Sequence, residues 1–361
     1  MLLDTYCPNA DGCKRYRLCN LFIVSNLCFW PQVWQSLFSR FFTVVQDMKF
    51  ICGMAFLLAS FAGSAQSFET TNPDSLKINS QDILNFWSAY DRLATAKSVT
   101  DSLKIIEQNY VQKATRGLKL YQQLSNSDAG SFLAAIRTHP RLLQSIRATT
   151  LAIPTYNQSI REGARKLKQI YPASGFPELF FCVGKFEVAG NRTDDVLYIG
   201  VELTCLSQES PRDELIPYMR AAAGTFDQVD VVCLHEMVHY QQKLAPKTNL
   251  ETALVEGGAE FIAHYLTGKS TMQVVFDRVD AALEQTIWHE FSSQLDKPVD
   301  AKWFLANADV ERNRPGMLGY VVGYRICEAY YNKAANKAEA LKAIISLSNP
   351  RDIYEISGYG K

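Results

Sequence analysis

The segment Leu234-His235-Glu236-Met237-Val238-His239 constrains this chain more than any other. On an α-helix, residues four apart share a face, so the His235 and His239 imidazoles can close on one ion. Glu236 is turned by one position, which sets its carboxylate beside an ion-bound water. The plainer alternative is a histidine pair that merely decorates a helix. The flanking residues favour the ion. Thr225-Phe226-Asp227-Gln228 reads as a capping box and Pro246 stops the pattern, so the motif lies mid-helix, where the chemistry needs it.

A catalytic zinc takes three protein ligands and leaves one position for water. Thr248-Asn249-Leu250-Glu251 is a second capping box, and Gly268 closes the helix it opens. The short link around Pro246 predicts an antiparallel helical hairpin. At 1.5 Å per residue, His239 and His235 lie about 10 and 16 Å from the connection, Glu256 about 15 Å and Glu260 about 21 Å. Glu256 is therefore the expected third ligand for one Zn²⁺ per chain. Glu260, a turn further, is expected to accept a hydrogen bond from the non-ligating nitrogen of a zinc histidine, the alternative being a solvated helix charge. His264 continues the stripe as an ordinary polar residue. Gly257 and Gly258 each cost about 1 kcal/mol in mid-helix relative to alanine. Close approach to the HExxH helix is the simplest reason for them.

The chain has 361 residues, 47% of them hydrophobic, enough for a large core. Lys plus Arg and Asp plus Glu both number 37, so no net field draws nucleic acid or an anionic membrane. Partners are expected through a pocket or groove. From Met48 the chain reads as a secretory signal peptide: a lysine, an apolar run from Phe50 to Ala62, then small residues with cleavage after Ala65. Residues 1–47 are then a spurious extension upstream of the true start, the alternative being a genuine extension with apolar anchors. The mature protein is expected outside the cytoplasm, periplasmic or secreted, with no membrane association after cleavage. Beyond Ala65 only Cys182, Cys205, Cys233 and Cys327 remain. Cys182 and Cys205 are candidates for a disulfide in an exported chain, with buried thiols as the equal alternative. At two residues before His235, Cys233 points off the metal-facing side.

Residues 68–79 are polar and read as loose. Helical spacings such as Leu84, Trp87, Leu93 and Leu103, Ile106, Tyr110 then fill residues 81–170, with Pro140 and Pro154 at boundaries. This N-terminal helical region, 66–170, is expected to be scaffold or one wall of a cleft. The runs 177–188 and 196–204 are rich in aromatic and β-branched residues around the turn-like Ala189-Gly190-Asn191-Arg192-Thr193-Asp194-Asp195, which predicts a β-hairpin. Helical spacing returns after Pro211. The expected class is α+β, mainly helical, with a small antiparallel sheet beside the metal helix in a domain over 171–361.

HEMVHYQQ followed by ALVEGGAEFIAHYLTGK resembles the zinc-dependent protease family of the YjaZ type, within the gluzincin-like zincins. The segments FFCVGKFEVAGNRTDDVLYIGVEL and GYVVGYRICEAYY fit the same pattern, so the resemblance spans roughly residues 165–335. It implies a zincin-like fold and matches Glu256 to the family's third zinc ligand. It further implies a metalloprotease, a hydrolase in which Glu236 is general base toward a peptide or protein substrate, which the signal segment at Met48 would make a secreted one. Tyr320 and Tyr324, at i and i+4, are candidate oxyanion donors, against aromatic core packing. Gly200-Val201-Glu202 is faintly similar to the aminopeptidase motif that holds a substrate amino terminus, though a solvent-facing strand glutamate is the commoner explanation. The strand 196–204 is where a zincin places its substrate-pairing edge. A different class of function is a catalytically inactive envelope protein of the same build that binds a partner.

Overall fold

The computed structural model describes residues 69–187, 189–193, 195–305 and 314–361. The expected signal segment and the extension before it lie outside these residues. The stretch read as loose is already sheet: Thr70 bridges Phe176, Leu76 is buried, and Ile78–Asn79 form strand β1. Helices α1 (Gln81–Arg92), α2 (Val99–Ile106), α3 (Arg116–Ser125), α4 (Ala129–Thr138), α5 (Pro140–Leu151) and α6 (Asn157–Ile170) follow. Their boundaries are local chemistry. The Ser98 side chain accepts from Asp101 N at the start of α2, and Asp128 and Ser131 form a reciprocal capping box on α4. Pro140 opens α5 at a position where no N–H is needed.

The sheet corrects the expected hairpin. Strands β2 (Glu178–Cys182), β3 (Gly190–Arg192) and β4 (Val196–Gly200) join β1 in the order β1-β2-β4-β3. The two apolar runs are neighbours but parallel, Glu178 opposite Val196 through Cys182 opposite Gly200. Only β3 is antiparallel, pairing Gly190 with Ile199. The sheet is thus mixed rather than antiparallel. The physical reason is burial on both faces: β4 is buried at every position and β2 from Leu179 to Cys182, the pattern of parallel strands. The turn-like cluster supplies the short edge strand β3, so β4 is interior and not the exposed edge expected of it.

After β4 the backbone turns helical as α7 (Val201–Thr204), which takes Glu202 out of any strand and buries it completely. Gly184 N and Phe186 N donate to its carboxylate at 2.7 and 3.3 Å. Glu202 is therefore neither solvent-facing nor a lining residue of the cavity described below. Helices α8 (Pro217–Ala222), α9 (Val229–Gln241), α10 (Asn249–Thr267), α11 (Gln273–Phe276) and α12 (Ala281–Ser292) come next. The chain closes with α13 (Leu318–Lys333), α14 (Lys337–Ser346) and α15 (Pro350–Ser357).

Helix α9 is buried over most of its length, with α6 on one side, where Gly163 faces Leu234. Helix α10 packs on both α9 and α13. Gly257 does not serve the α9 contact, as expected from sequence, but the α13 one: a Cβ there would strike the backbone of Gly323 and Tyr324. Gly258 faces Ile344 and Cys327 instead. One apolar cluster runs continuously from Leu76 in the first strand region to Ile353 in α15. Cys182, Cys205, Cys233 and Cys327 are free, buried thiols within it. Among the described residues no helix is long and apolar enough to cross a membrane.

Candidate metal centre

Two capping boxes set the hairpin that carries the site. Thr225 and Gln228 cap the 3-10 turn leading into α9, and Thr248 and Glu251 cap α10 reciprocally. Gly268, at φ 71°, ends α10 in the left-handed conformation that glycine adopts without strain. The result brings His235, His239 and Glu256 together, with donor atoms within 4.8 Å of one another. Glu256 Oε2 lies 3.2 Å from His239 Nε2 and 3.9 Å from His235 Nε2. Glu256 and His239 are buried, while the His235 side chain keeps 13% of its surface exposed, toward the cavity it lines.

Each histidine is fixed from behind. His235 Nδ1 lies 3.2 Å from Glu260 Oε2, and an ionised carboxylate only accepts, so Nδ1 carries the hydrogen. Glu260 is fully buried and itself held by Ser270 Oγ at 2.6 Å, Thr271 N at 2.9 Å and Thr271 Oγ1 at 2.7 Å. It is a buried, hydrogen-bonded carboxylate behind His235, one turn from Glu256, and not a solvated charge. His239 Nδ1 lies 2.7 Å from Gln242 Oε1, and Gln242 Nε2 donates to Val255 O at 3.0 Å. The Val255 carbonyl fixes which end of the amide faces the histidine. Nδ1 of His239 is therefore the protonated nitrogen as well.

Both Nε2 lone pairs consequently converge on the Glu256 carboxylate. His239 Nε2 is buried and has no hydrogen-bond partner. Such an arrangement is repulsive until a cation enters it, and two imidazoles with a carboxylate suit a divalent ion such as zinc. Protons meet the same demand. Burial opposes a charged His235, but Glu256 and Glu260 hold its proton up to about 10. Burial likewise opposes ionised Glu256, and His239 and His235 outweigh it, bringing the carboxyl down to about 2.

A cavity of about 570 Å³ opens over the site, lined by His235, Glu236, Glu256 and Tyr320 among others. Glu236 is offset from the ligand face as the helix spacing dictates, packed against the edge strand at Gly190, with its Oε2 buried and without a hydrogen-bond partner. Tyr320 is on the cavity wall. Tyr324 is not: its hydroxyl meets His264 Nδ1 at 2.8 Å among Phe261 and Phe276, so the paired oxyanion role read from i,i+4 spacing does not hold for it. Sequence reasoning missed Gln242, whose signal was its position three residues after His239, on a neighbouring helix face. It also missed Arg212, Arg220 and Arg278 on the cavity wall.

A model of the gliding motility protein GldB family matches residues 69–361. The chain belongs to the GldB family. No curated protein and no solved structure matches it. The assignment overturns the resemblance to YjaZ-type proteases and, with it, the reading of the chain as a secreted zinc metalloprotease and hydrolase. The physical reason is that HExxH with a later glutamate specifies a helical hairpin that can hold an ion, and leaves the reaction open. The resemblance rested on residues 165–335, whereas the GldB match also takes in α1 to α6. The GldB family model is designated a lipoprotein family, so export and protein partners agree with it at the level of the cell envelope.

Proposed function

We propose that this chain is a cell-envelope component of gliding motility that holds one zinc ion on His235, His239 and Glu256 and binds a protein partner over it. The observation that carries the reading is the convergence of two Nε2 lone pairs on Glu256, each enforced by a separate acceptor behind its ring. A zinc ion held by His235, His239 and Glu256 would link α9 to α10 and add its binding energy to the folded state. The partner is a protein, not a substrate to be cut, and the ion's work is to hold the wall of the binding cavity in shape. The zincin-like build is then a scaffold reused for attachment.

The test uses a strain deleted for this chain and complemented with variants, scored for spreading on a surface. Glu236→Gln should restore spreading, because no proton transfer is required. His235→Ala and Glu256→Ala should fail to restore it while the proteins still reach the envelope. Purified wild-type protein should carry about one zinc by elemental analysis, as one three-ligand site requires. Spreading restored by His235→Ala, or zinc-free wild type, would sink the reading.

A further inference from the structure

The cavity over the metal centre has a second chemical character. Arg212, Arg220 and Arg278 line it together with His235, Glu236 and Glu256. Arg212 Nη1 donates to Ala223 O at 3.0 Å, and Arg220 donates to Arg212 O and Leu215 O at 3.0 and 3.1 Å. These bonds brace the loop around α8 but leave further guanidinium donors unspent. Arg278, on the turn after α11, is exposed. None of these arginines lies within ion-pair distance of a carboxylate among the described residues. Burial without a counter-charge lowers the Arg212 pKa, a sign of a cation awaiting an anion.

The charge balance makes the point sharper. Against the three arginines the cavity sets Glu236, Glu256 and Asp227, so its arginines and carboxylates balance in number. A divalent ion on the triad tips the whole cavity positive. The remaining lining includes Val232, Met272 and Val275, and Val274 stands 75% exposed at the same wall. The volume suits a short stretch of chain, within the roughly 300–1,000 Å³ of common ligand pockets. A compact dianion such as phosphate would meet Glu236 and Asp227 and leave the apolar wall uncovered.

We infer that the cavity receives an acidic segment of the protein partner, its carboxylates on Arg212, Arg220 and Arg278 and its apolar side chains on Val232, Met272 and Val275. This rests on the partner-binding reading above and names the chemistry of the partner. Guanidinium groups pair carboxylates in two parallel hydrogen bonds, which gives orientation as well as affinity. Positive potential focused in a cleft also steers an acidic segment to it.

The test is fluorescence anisotropy on the full zinc-loaded chain with a labelled hexapeptide of alternating glutamate and leucine, its glutamine–leucine and lysine–leucine counterparts, and inorganic phosphate as competitor. The acidic peptide should bind at least about tenfold more tightly than the glutamine one, the scale of charge-assisted hydrogen bonds. Arg278 braces no backbone, so Arg278→Gln should fold normally, keep its zinc and lose about tenfold of that affinity. Arg278→Glu should shift preference toward the lysine peptide. Equal binding of acidic and glutamine peptides, or unchanged affinity in both Arg278 variants, overturns the inference. So does displacement of the peptide by millimolar phosphate, which would mark a free-anion site. Zinc measured in the same samples separates the two readings. Zinc present without acidic preference defeats this inference alone, whereas arginine-dependent binding without zinc defeats the metal reading and leaves the arginine subsite standing.

Discussion

Gly257 of α10 packs against the backbone of Gly323 of α13, which fills the space that a Cβ on Gly257 would need. A methyl at Gly323 would collide with the Ala253 carbonyl, and one at Gly257 with the Tyr324 amide. Neither obstacle is the flexible end of a side chain. The contact sits beside the metal hairpin, since Glu256 is the residue before Gly257.

Gly323→Ala should destabilise the protein by about 1–3 kcal/mol or more, because overpacking against backbone forces the helices apart. Gly258→Ala is the control. Its Cβ would sit 3.5 Å from Ile344 Cγ2 and 3.6 Å from Cys327 Sγ, ordinary contact distances. It should be neutral or stabilising by up to about 1 kcal/mol through helix propensity. Urea midpoints of the two variants should move in opposite directions, or Gly323→Ala alone should move.

His235→Ala, His239→Ala and Glu256→Ala should each lose most of the zinc. Glu260→Ala and Gln242→Ala should retain it with roughly 10- to 100-fold weaker affinity, as removal of groups behind ligands usually does. Competitive titration against a fluorescent zinc chelator reads both effects. A Gln242→Ala protein with wild-type affinity would show that the Val255–Gln242–His239 chain does not set the His239 tautomer.

Zinc uptake should release protons and weaken as pH falls. The ion-free site keeps His235 protonated up to about 10, through Glu256 and Glu260 and against burial, so zinc must displace that proton. Titration calorimetry in two buffers of different ionisation enthalpy should give about one proton released per ion bound near neutral pH. Uptake without proton release would contradict the protonated ion-free state.

Buried Glu202 should make stability fall as pH rises. Desolvation pushes its carboxyl from 4.5 up to about 7, against hydrogen bonds from Gly184 and Phe186, with Glu187 adding repulsion. Tyr110, Tyr121 and Cys182 also face it and stay protonated in this range, raised well above their ordinary values mainly by burial. The native state therefore holds a proton that the unfolded chain releases near 4.5, so its contribution is full below that pH. It is lost through about pH 7, on the order of 3 kcal/mol at most. Urea midpoints at pH 5 and 8 should differ more in wild type than in Glu202→Gln, and equal differences would remove Glu202 as the cause.

Much of the candidate site's geometry was legible because helical period is written directly into sequence. His235, Glu236 and His239 needed only the four-residue repeat, and Glu256 only a rise per residue and a short link. The sheet was less legible. Continuous apolar runs such as Leu179–Cys182 and Val196–Ile199 pair equally well in either direction on paper, and their burial on both faces decided for parallel. Arg212, Arg220 and Arg278 come from a 3-10 turn, helix α8 and the turn after α11, so no local pattern could have gathered them. The activity was misread for a related reason: an ion-holding hairpin is a local feature, whereas the family is a property of the whole chain from residue 69 onward.

Thr271 is at once a wall residue of the cavity and a donor to Glu260, and Glu260 in turn grips His235. The three residues form a continuous hydrogen-bonded chain, at 2.7 Å from Thr271 Oγ1 to Glu260 and 3.2 Å from Glu260 to His235. His239 hangs from a different support, through Gln242 to the Val255 carbonyl inside α10. The Thr271 wall of the cavity is therefore tied by hydrogen bonds to His235, whereas His239 reaches α10 by a separate bond through Gln242, so the two imidazoles are held on different tethers.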